Sequence, residues 1–216
     1  MLVIGSQVPN ILQPDAASTL VVSQDVDIGV PVAIHDRVKR RLRDVLGLRS
    51  SPEEPSVWVP ESSALIEVNF VGMDPALGGP EQAYVLEDTE LPLLVFGALA
   101  LLRPGRSIEV AGLIIPVPRL AGLLIEKSLT DRSGEKGHRD LLVALGLLLL
   151  STDADLEESH QLYRTLAPEL KHAIRSNLTV LSLSEPIPGM PDPIPQRGRI
   201  ASFLARLEST EEGGAD

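Results

Sequence analysis

The hydrophobic period of this chain changes at Pro118, and that change narrows the folds open to it. Ahead of Pro118, apolar residues come in short alternating segments: "MLVIGS", "STLVVSQDVDIGV", "SVWVP", "SALIEVNFVG", "QAYVLED" and "SIEVAGLIIPVP". Alternate side chains of a strand share a face, so this pattern predicts strands. A short helix is expected over "QVPNIL", where Pro9 is tolerated in the first turn. In "AIHDRVKRRLRDVLGL", Ile34, Val38, Leu42, Val45 and Leu46 fall on one helical face and the arginines face water, with Gly47 placed as a C-cap. "LPLLVFGALALL" fits strand or helix, as short apolar runs do.

Beyond Pro118 the runs take helical length and period: "RLAGLLIEKSLTD", "KGHRDLLVALGLLLLS", "DADLEESHQLYRTL" and "PELKHAIRSNLTVL". Asp153 and Pro168 stand where helix starts are expected. From Ser184 the sequence becomes proline-rich, "SEPIPGMPDPIPQRG", followed by a short helix, "RIASFLARLES", and a tail, "TEEGGAD", that is expected to be disordered. The predicted class is therefore α/β (α+β). A mixed-sheet core spans residues 1–116, a helical part 117–183, and a linker, short helix and tail 184–216.

Composition removes several function classes. With 3% aromatic residues and 44% hydrophobic ones, the core must be built from Leu, Val, Ile and Ala. There is no cysteine, so disulfides and thiolate metal sites are excluded, and a reducing cytoplasm is the expected setting. A formal charge of -11 argues against generic nucleic-acid binding but not against a local basic patch. "MLVIG" has neither the basic start nor the cleavage pattern of a secretory signal. The longest apolar run, "LLVALGLLLL", is too short to span a bilayer, so no membrane partner is expected.

Within "VVSQDVDIGVP" the aspartates at 25 and 27 interrupt an apolar strand pattern. Two apart in a strand, they share one face at a spacing of about 7 Å, where like charges repel unless a cation lies between them. Oxygen-only ligation of that kind suits Mg²⁺. Glu67, within "LIEVNF", completes a three-carboxylate cluster if its strand is adjacent. The spacing alone is weak: "DAD" at 153–155 repeats it and is read as a helix N-terminus only. The Val and Ile flanks set Asp25 and Asp27 apart from such a turn. Gly5-Ser6 follows "LVI" at a turn whose backbone N–H groups and hydroxyl suit phosphate.

In this order, "VIGS", "SQDVDIGV" and "LIEVNF" resemble the nucleotidyltransferase superfamily of the DNA polymerase β type. The resemblance covers about residues 2–150. It is greatest to the minimal and abortive-infection (AbiEii-like) group, which includes toxins of toxin–antitoxin pairs. "IPVPRLAGLLIEKSLTDRSGEKGHRDLLVAL" resembles the later motif of that group, with Lys127, Arg132, Lys136 and Asp140 at the matching places. Two features depart from the family pattern. Members usually place a helix before the first strand, and Glu67 stands where Asp is common.

The resemblance implies transfer of a nucleoside monophosphate from an NTP to an acceptor hydroxyl, with two Mg²⁺ ions as cofactors. Asp25, Asp27 and Glu67 are then the catalytic and metal-binding residues. Gly5, Ser6, Lys127, Arg132, Lys136 and Asp140 are the nucleotide-binding ones. The implied partners are the NTP, an acceptor RNA, protein or small molecule, and an antitoxin protein. Two other readings stand beside this one: an aminoglycoside-type small-molecule nucleotidyltransferase, and a non-catalytic relative that binds a nucleotide or a partner. Individual residues also have plainer roles. Lys127 can snorkel from an apolar helix, Asp140 can pair with Lys136 at the i, i+4 spacing, His138 can lie on the surface, and Trp58 can pack a sheet edge.

Overall fold

The computed structural model describes residues 1–13, 21–23, 25–62, 66–129 and 134–208, with the side chains of 134–136 outside that description. The expected disorder of the tail falls on 210–216, outside the described residues. Contacts divide the chain into two units, 1–8 with 23–118 and 9–22 with 119–216.

Among its described residues the first unit carries nine strands: β1 (Leu2–Ile4), β2 (Asp25–Pro31), β3 (Leu48–Ser50), β4 (Val57–Pro60), β5 (Glu67–Met73), β6 (Ala83–Leu86), β7 (Leu93–Phe96), β8 (Pro104–Val110) and β9 (Leu113–Pro118). The first seven form one mixed sheet. β2 runs antiparallel to β1 and parallel to β5. β2 pairs along the whole of β5, so β4 and β7 share the other edge of β5, at Val68–Asn69 and at Gly72 respectively. β3 extends the sheet beyond β4, and β6 pairs with β7. The parallel β2–β5 pair requires a crossover, which helix α2 (His35–Leu42) supplies together with β3 and β4.

Period-two alternation explains the core of this unit. Val30 and Phe70 turn to one face of the sheet, where Val38 of α2, Leu91 and Leu93 meet them, with Ile28, Val68 and Trp58 packed around. Each of the buried ones, Val30, Val38, Phe70, Leu91 and Leu93, contributes about 1.5–3 kcal/mol of burial free energy. Trp58 packs edge-to-face on Phe70, with ring centroids 6.3 Å apart. Asp25, Asp27, Glu67 and Asn69 occupy the alternate positions and so the opposite face.

Three expectations need correction. The α2 helix ends at Leu42, where Asp44 and Val45 hydrogen-bond back to Arg41 and Leu42 in a tighter i→i+3 turn. Val45 and Leu46 therefore leave the apolar face, Leu46 being 91% exposed. Gly47, at φ +79°, serves the turn into β3 and does not cap the helix. "SIEVAGLIIPVP" is not one strand but most of the β8–β9 hairpin. Ala111 and Gly112 at its tip both have positive φ, 49° and 79°, as a two-residue turn of the I′ type requires. β3 went unread because "LRS" has no apolar alternation; it forms by pairing with β4. The ambiguous run resolves into β7 and a 3-10 turn over Gly97–Leu101.

The second unit is helical: α3 (Leu120–Leu129), α4 (Gly134–Leu150), α5 (Asp153–Arg164), α6 (Pro168–Leu183) and α7 (Arg197–Glu208). The short α1 (Val8–Leu12) begins in the first unit and continues into this one. α3 contacts α4, α5 and α6 and is buried on nearly every side, which explains its continuous apolar sequence. Thr152 caps α5 through a capping box with Asp155, so the second D-x-D is indeed a helix start. Pro168 opens α6. Residues 184–208, read as linker and helix, belong to this unit: Ile200, Phe203 and Leu207 of α7 are buried. So does the 9–22 segment, whose Asn10 side chain exchanges two hydrogen bonds with the Val21 backbone. No helix among the described residues is long and apolar enough to cross a membrane.

Candidate functional site

The carboxylates sit where β1, β2 and β5 lie side by side. The parallel register sets Asp25 opposite Glu67 and Asp27 opposite Asn69. The antiparallel register sets Asp27 opposite Ile4, the last residue of β1. The chain then turns through Gly5 at φ +77°, a left-handed conformation that glycine adopts without penalty. A Cβ at Gly5 would come within 2.9 Å of Asp27 Cγ, so the absent side chain is also what admits the Asp27 carboxylate. Gly5 and Ser6 begin a 3-10 turn that leads into α1. The Gly-Ser turn and the second aspartate are thus immediate neighbours.

Hydrogen bonds hold the aspartates in place. Asn69 Nδ2 donates to Asp25 Oδ2 at 2.9 Å and lies 3.4 Å from Asp27 Oδ1, spanning the two carboxylates. The Ser23 hydroxyl donates to Asp25 Oδ1. Gln7 Nε2, from the turn after Ser6, donates to the Ser23 carbonyl at 3.3 Å. The Oδ1 of Asn69 is buried and has no hydrogen-bond partner among the described residues.

Glu67 lies on an adjacent strand and on the same face, opposite Asp25, but the residue found between the aspartates is Asn69. Among the described residues, no group of three or more acidic, histidine or cysteine side chains is gathered as a metal cage. The donors that do gather are two carboxylates and an amide, all hard or potentially hard oxygen ligands, which fit Mg²⁺ in chemistry. Sequence reasoning missed Asn69. The available signal was its place two residues beyond Glu67, on the same face of an apolar strand.

The remaining candidates lie in the helical unit. Lys127 does not snorkel to water: it is only 8% exposed, with Nζ 3.5 Å from Glu126 Oε2 and 3.9 Å from Asp140 Oδ1. Its charge is thus matched within that unit by carboxylates from α3 and α4. His138 is half-buried rather than on the surface, with Nε2 lacking a hydrogen-bond partner among the described residues. Arg132 lies outside the described residues, as does the Lys136 side chain, so the Lys136–Asp140 pairing does too.

On the apolar face of the sheet there is a separate pocket of about 360 Å³, lined in part by Lys39, Leu42, Arg43, Trp58 and Glu90. Its polar rim is tied up in ion pairs. Lys39 donates to Asp88 Oδ2, which raises the lysine pKa. That bond, joined by the backbone N–H groups of Glu90 and Leu91, holds the Asp88 carboxyl well below the usual carboxylate range. Arg43 grips Glu90 with two hydrogen bonds, of 2.9 and 2.6 Å, which lowers the pKa of that carboxyl too. These groups brace α2 against the 88–91 loop, and the charged side chains of the lining, Lys39, Arg43 and Glu90, are all ion-paired. In comparison with known proteins, the chain matches no family model and no curated protein.

Proposed function

We propose that this protein is a divalent-metal-dependent nucleotidyltransferase that moves a nucleoside monophosphate from an NTP to an acceptor hydroxyl and releases pyrophosphate. One observation carries the reading: Asp25 and Asp27 share a face of β2, with the Gly5-Ser6 turn packed against the second of them. An amide and a hydroxyl donate to Asp25, and the same amide lies 3.4 Å from Asp27 Oδ1.

In this reading Asp25 and Asp27 hold the cation, which when bound supplies charge neutralisation to the phosphates. Gly5 and Ser6 offer the phosphates backbone N–H groups and a hydroxyl, and the bare Gly5 Cα leaves room for the Asp27 carboxylate beside them. The acceptor oxygen forms a bond to the α-phosphorus while the bond to the pyrophosphate oxygen breaks. Glu67, beside Asp25, takes the acceptor proton. Rate enhancement comes from positioning and electrostatic stabilisation, since the protein forms no covalent bond itself. Lys127 is not needed by this scheme. The acceptor is an RNA, as in the toxin-like group, or else a protein or small molecule.

A second reading, a non-catalytic relative of the fold, is favoured by the Asn69 amide that already bridges the aspartates. One experiment separates the two. The protein is incubated with each labelled NTP, Mg²⁺ and total tRNA, beside Asp27→Asn, and label transfer is followed together with melting temperature. The enzyme transfers label and melts higher with Mg²⁺–NTP, and Asp27→Asn does neither while staying folded. A wild type with no melting shift for any NTP leaves the non-catalytic reading.

A further inference from the structure

The pocket on the apolar face of the sheet is walled by segments that hydrogen bonds and ion pairs already hold in place. Trp58 and Leu91 belong both to its lining and to the core. Leu91 is 1% exposed and its carbonyl lies 2.8 Å from His35 Nε2, while Trp58 packs on Phe70. Leu42 comes from α2, which the Lys39–Asp88 and Arg43–Glu90 pairs lock to the 88–91 loop. The turn over residues 50–57 closes on itself: Ser50 Oγ donates to the Pro55 carbonyl at 3.2 Å, and the Ser51 N–H to the Val57 carbonyl at 2.8 Å. The pocket is thus preformed, and at about 360 Å³ it has the size of a small-molecule site.

The lining also sets the charge and shape of an occupant. Leu42, Pro52, Pro55, Trp58 and Leu91 give it apolar walls, and an indole favours an aromatic ring beyond the area it buries. Glu90 already fills the Arg43 fork with two hydrogen bonds, and Asp88 holds Lys39. A ligand anion would only replace a carboxylate that the chain keeps tethered there, and a cation would have to compete with Arg43 for Glu90. The hydroxyls, by contrast, are open. Ser51 Oγ accepts from the N–H groups of Glu53 and Glu54 and keeps its own proton to give. Thr89 has no polar partner among the described residues.

We propose that this pocket binds an uncharged aromatic molecule bearing a hydrogen-bond acceptor. Its ring packs among Trp58 and the two prolines, and its acceptor takes the Ser51 or Thr89 hydroxyl. Nucleotidyl transfer has no part in this, since Trp58 pairs with Val68 and lies on the face of the sheet opposite Asp25 and Asp27.

Trp58 is the single tryptophan of the chain, so it reports on the pocket directly. The full chain is titrated with prodan, an uncharged naphthyl ketone, while Trp58 emission and energy transfer to the dye are followed. Saturable binding with quenching of Trp58 is expected. 2-Acetylnaphthalene should displace the dye, whereas 2-naphthoate, of similar shape but anionic, should need at least about tenfold more. Glu90→Gln, at a side chain 47% exposed, frees the Arg43 fork and should bring 2-naphthoate to parity or better. Failure of prodan to saturate, or to quench Trp58, overturns the proposal. So does a preference between the two naphthalenes that Glu90→Gln leaves untouched, because the dye is then bound elsewhere. If 2-naphthoate displaces the dye from wild type as readily as the ketone does, the occupant is an acid and the uncharged assignment falls.

Discussion

Gly5 and Asp27 occupy each other's space: a Cβ on Gly5 would come within 3.1 Å of Asp27 Cβ and closer still to its carboxylate. Two penalties therefore combine in Gly5→Ala. A non-glycine residue at φ +77° costs about 1–2 kcal/mol, and the new methyl displaces the aspartate from its place beside Asn69. The variant should lose at least that much stability and most of its response to Mg²⁺–NTP. In an Asp27→Ala background the carboxylate is gone and only the 3.1 Å contact with the Cβ persists, so Gly5→Ala should cost less there, and a double-mutant cycle reads the carboxylate's share of the overlap. Equal costs in the two backgrounds would show that the residues are not coupled.

Asp88 and Lys39 predict a pH dependence with a definite sign. The Asp88 pKa is depressed in the fold, first by its hydrogen bond from Lys39. Its contribution is present above the unfolded value, about 3.9, and is lost as pH falls through the lower folded value. The Lys39 pKa is raised, so its contribution is present below about 10.4 and fades as pH rises through the folded value. Lys39→Met should therefore lower the melting temperature most at neutral pH, and the gap from wild type should close below about pH 4. A gap independent of pH would mean that the lysine acts through its aliphatic stem alone.

Local patterns were legible in the sequence, and pairings between distant segments were not. Alternation alone put Asp25 and Asp27 on one face, because it depends only on neighbours along the strand. That Asn69 rather than Glu67 stands opposite Asp27 depends on the β2–β5 register, and a two-residue slip would exchange them without moving any apolar residue off its face. The β8–β9 hairpin was hidden because Ala-Gly lacks the Asn or Asp that usually marks such a turn. Leu46 carries the helical period of α2 but lies past the point where the chain must turn into β3. The ion cluster around Lys127 joins α3 to α4, and no spacing within either helix announces it.

Ala111 supplies a stabilising prediction. It is the sole non-glycine residue with positive φ among the described residues, at the tip of an exposed hairpin. Asn accepts that conformation more readily, so Ala111→Asn should raise stability by about 0.5–1 kcal/mol, and Ala111→Val should lower it. Urea unfolding checks this: the midpoint should move in opposite directions for the two variants with the slope unchanged. A fall in both would place the constraint in packing of the alanine methyl and not in the backbone.

Lys127 separates a structural role from a nucleotide-binding one. Its side chain is 11% exposed, and those of Glu126 and Asp140 are 14% exposed. Lys127→Met keeps the apolar stem and removes the charge, leaving two mostly buried carboxylates facing each other's field. Loss of one partner from a buried ion cluster costs about 3–5 kcal/mol, most of it the burden of the charge left behind. Adding Glu126→Gln and Asp140→Asn to Lys127→Met should then restore much of the loss, since the carboxylates that faced the lysine no longer carry charge. Urea unfolding of the helical unit, followed by far-UV circular dichroism, measures both steps. A lysine that binds phosphate predicts the contrary pattern: Lys127→Met unfolds like wild type but responds less to Mg²⁺–NTP, and the two added substitutions recover nothing.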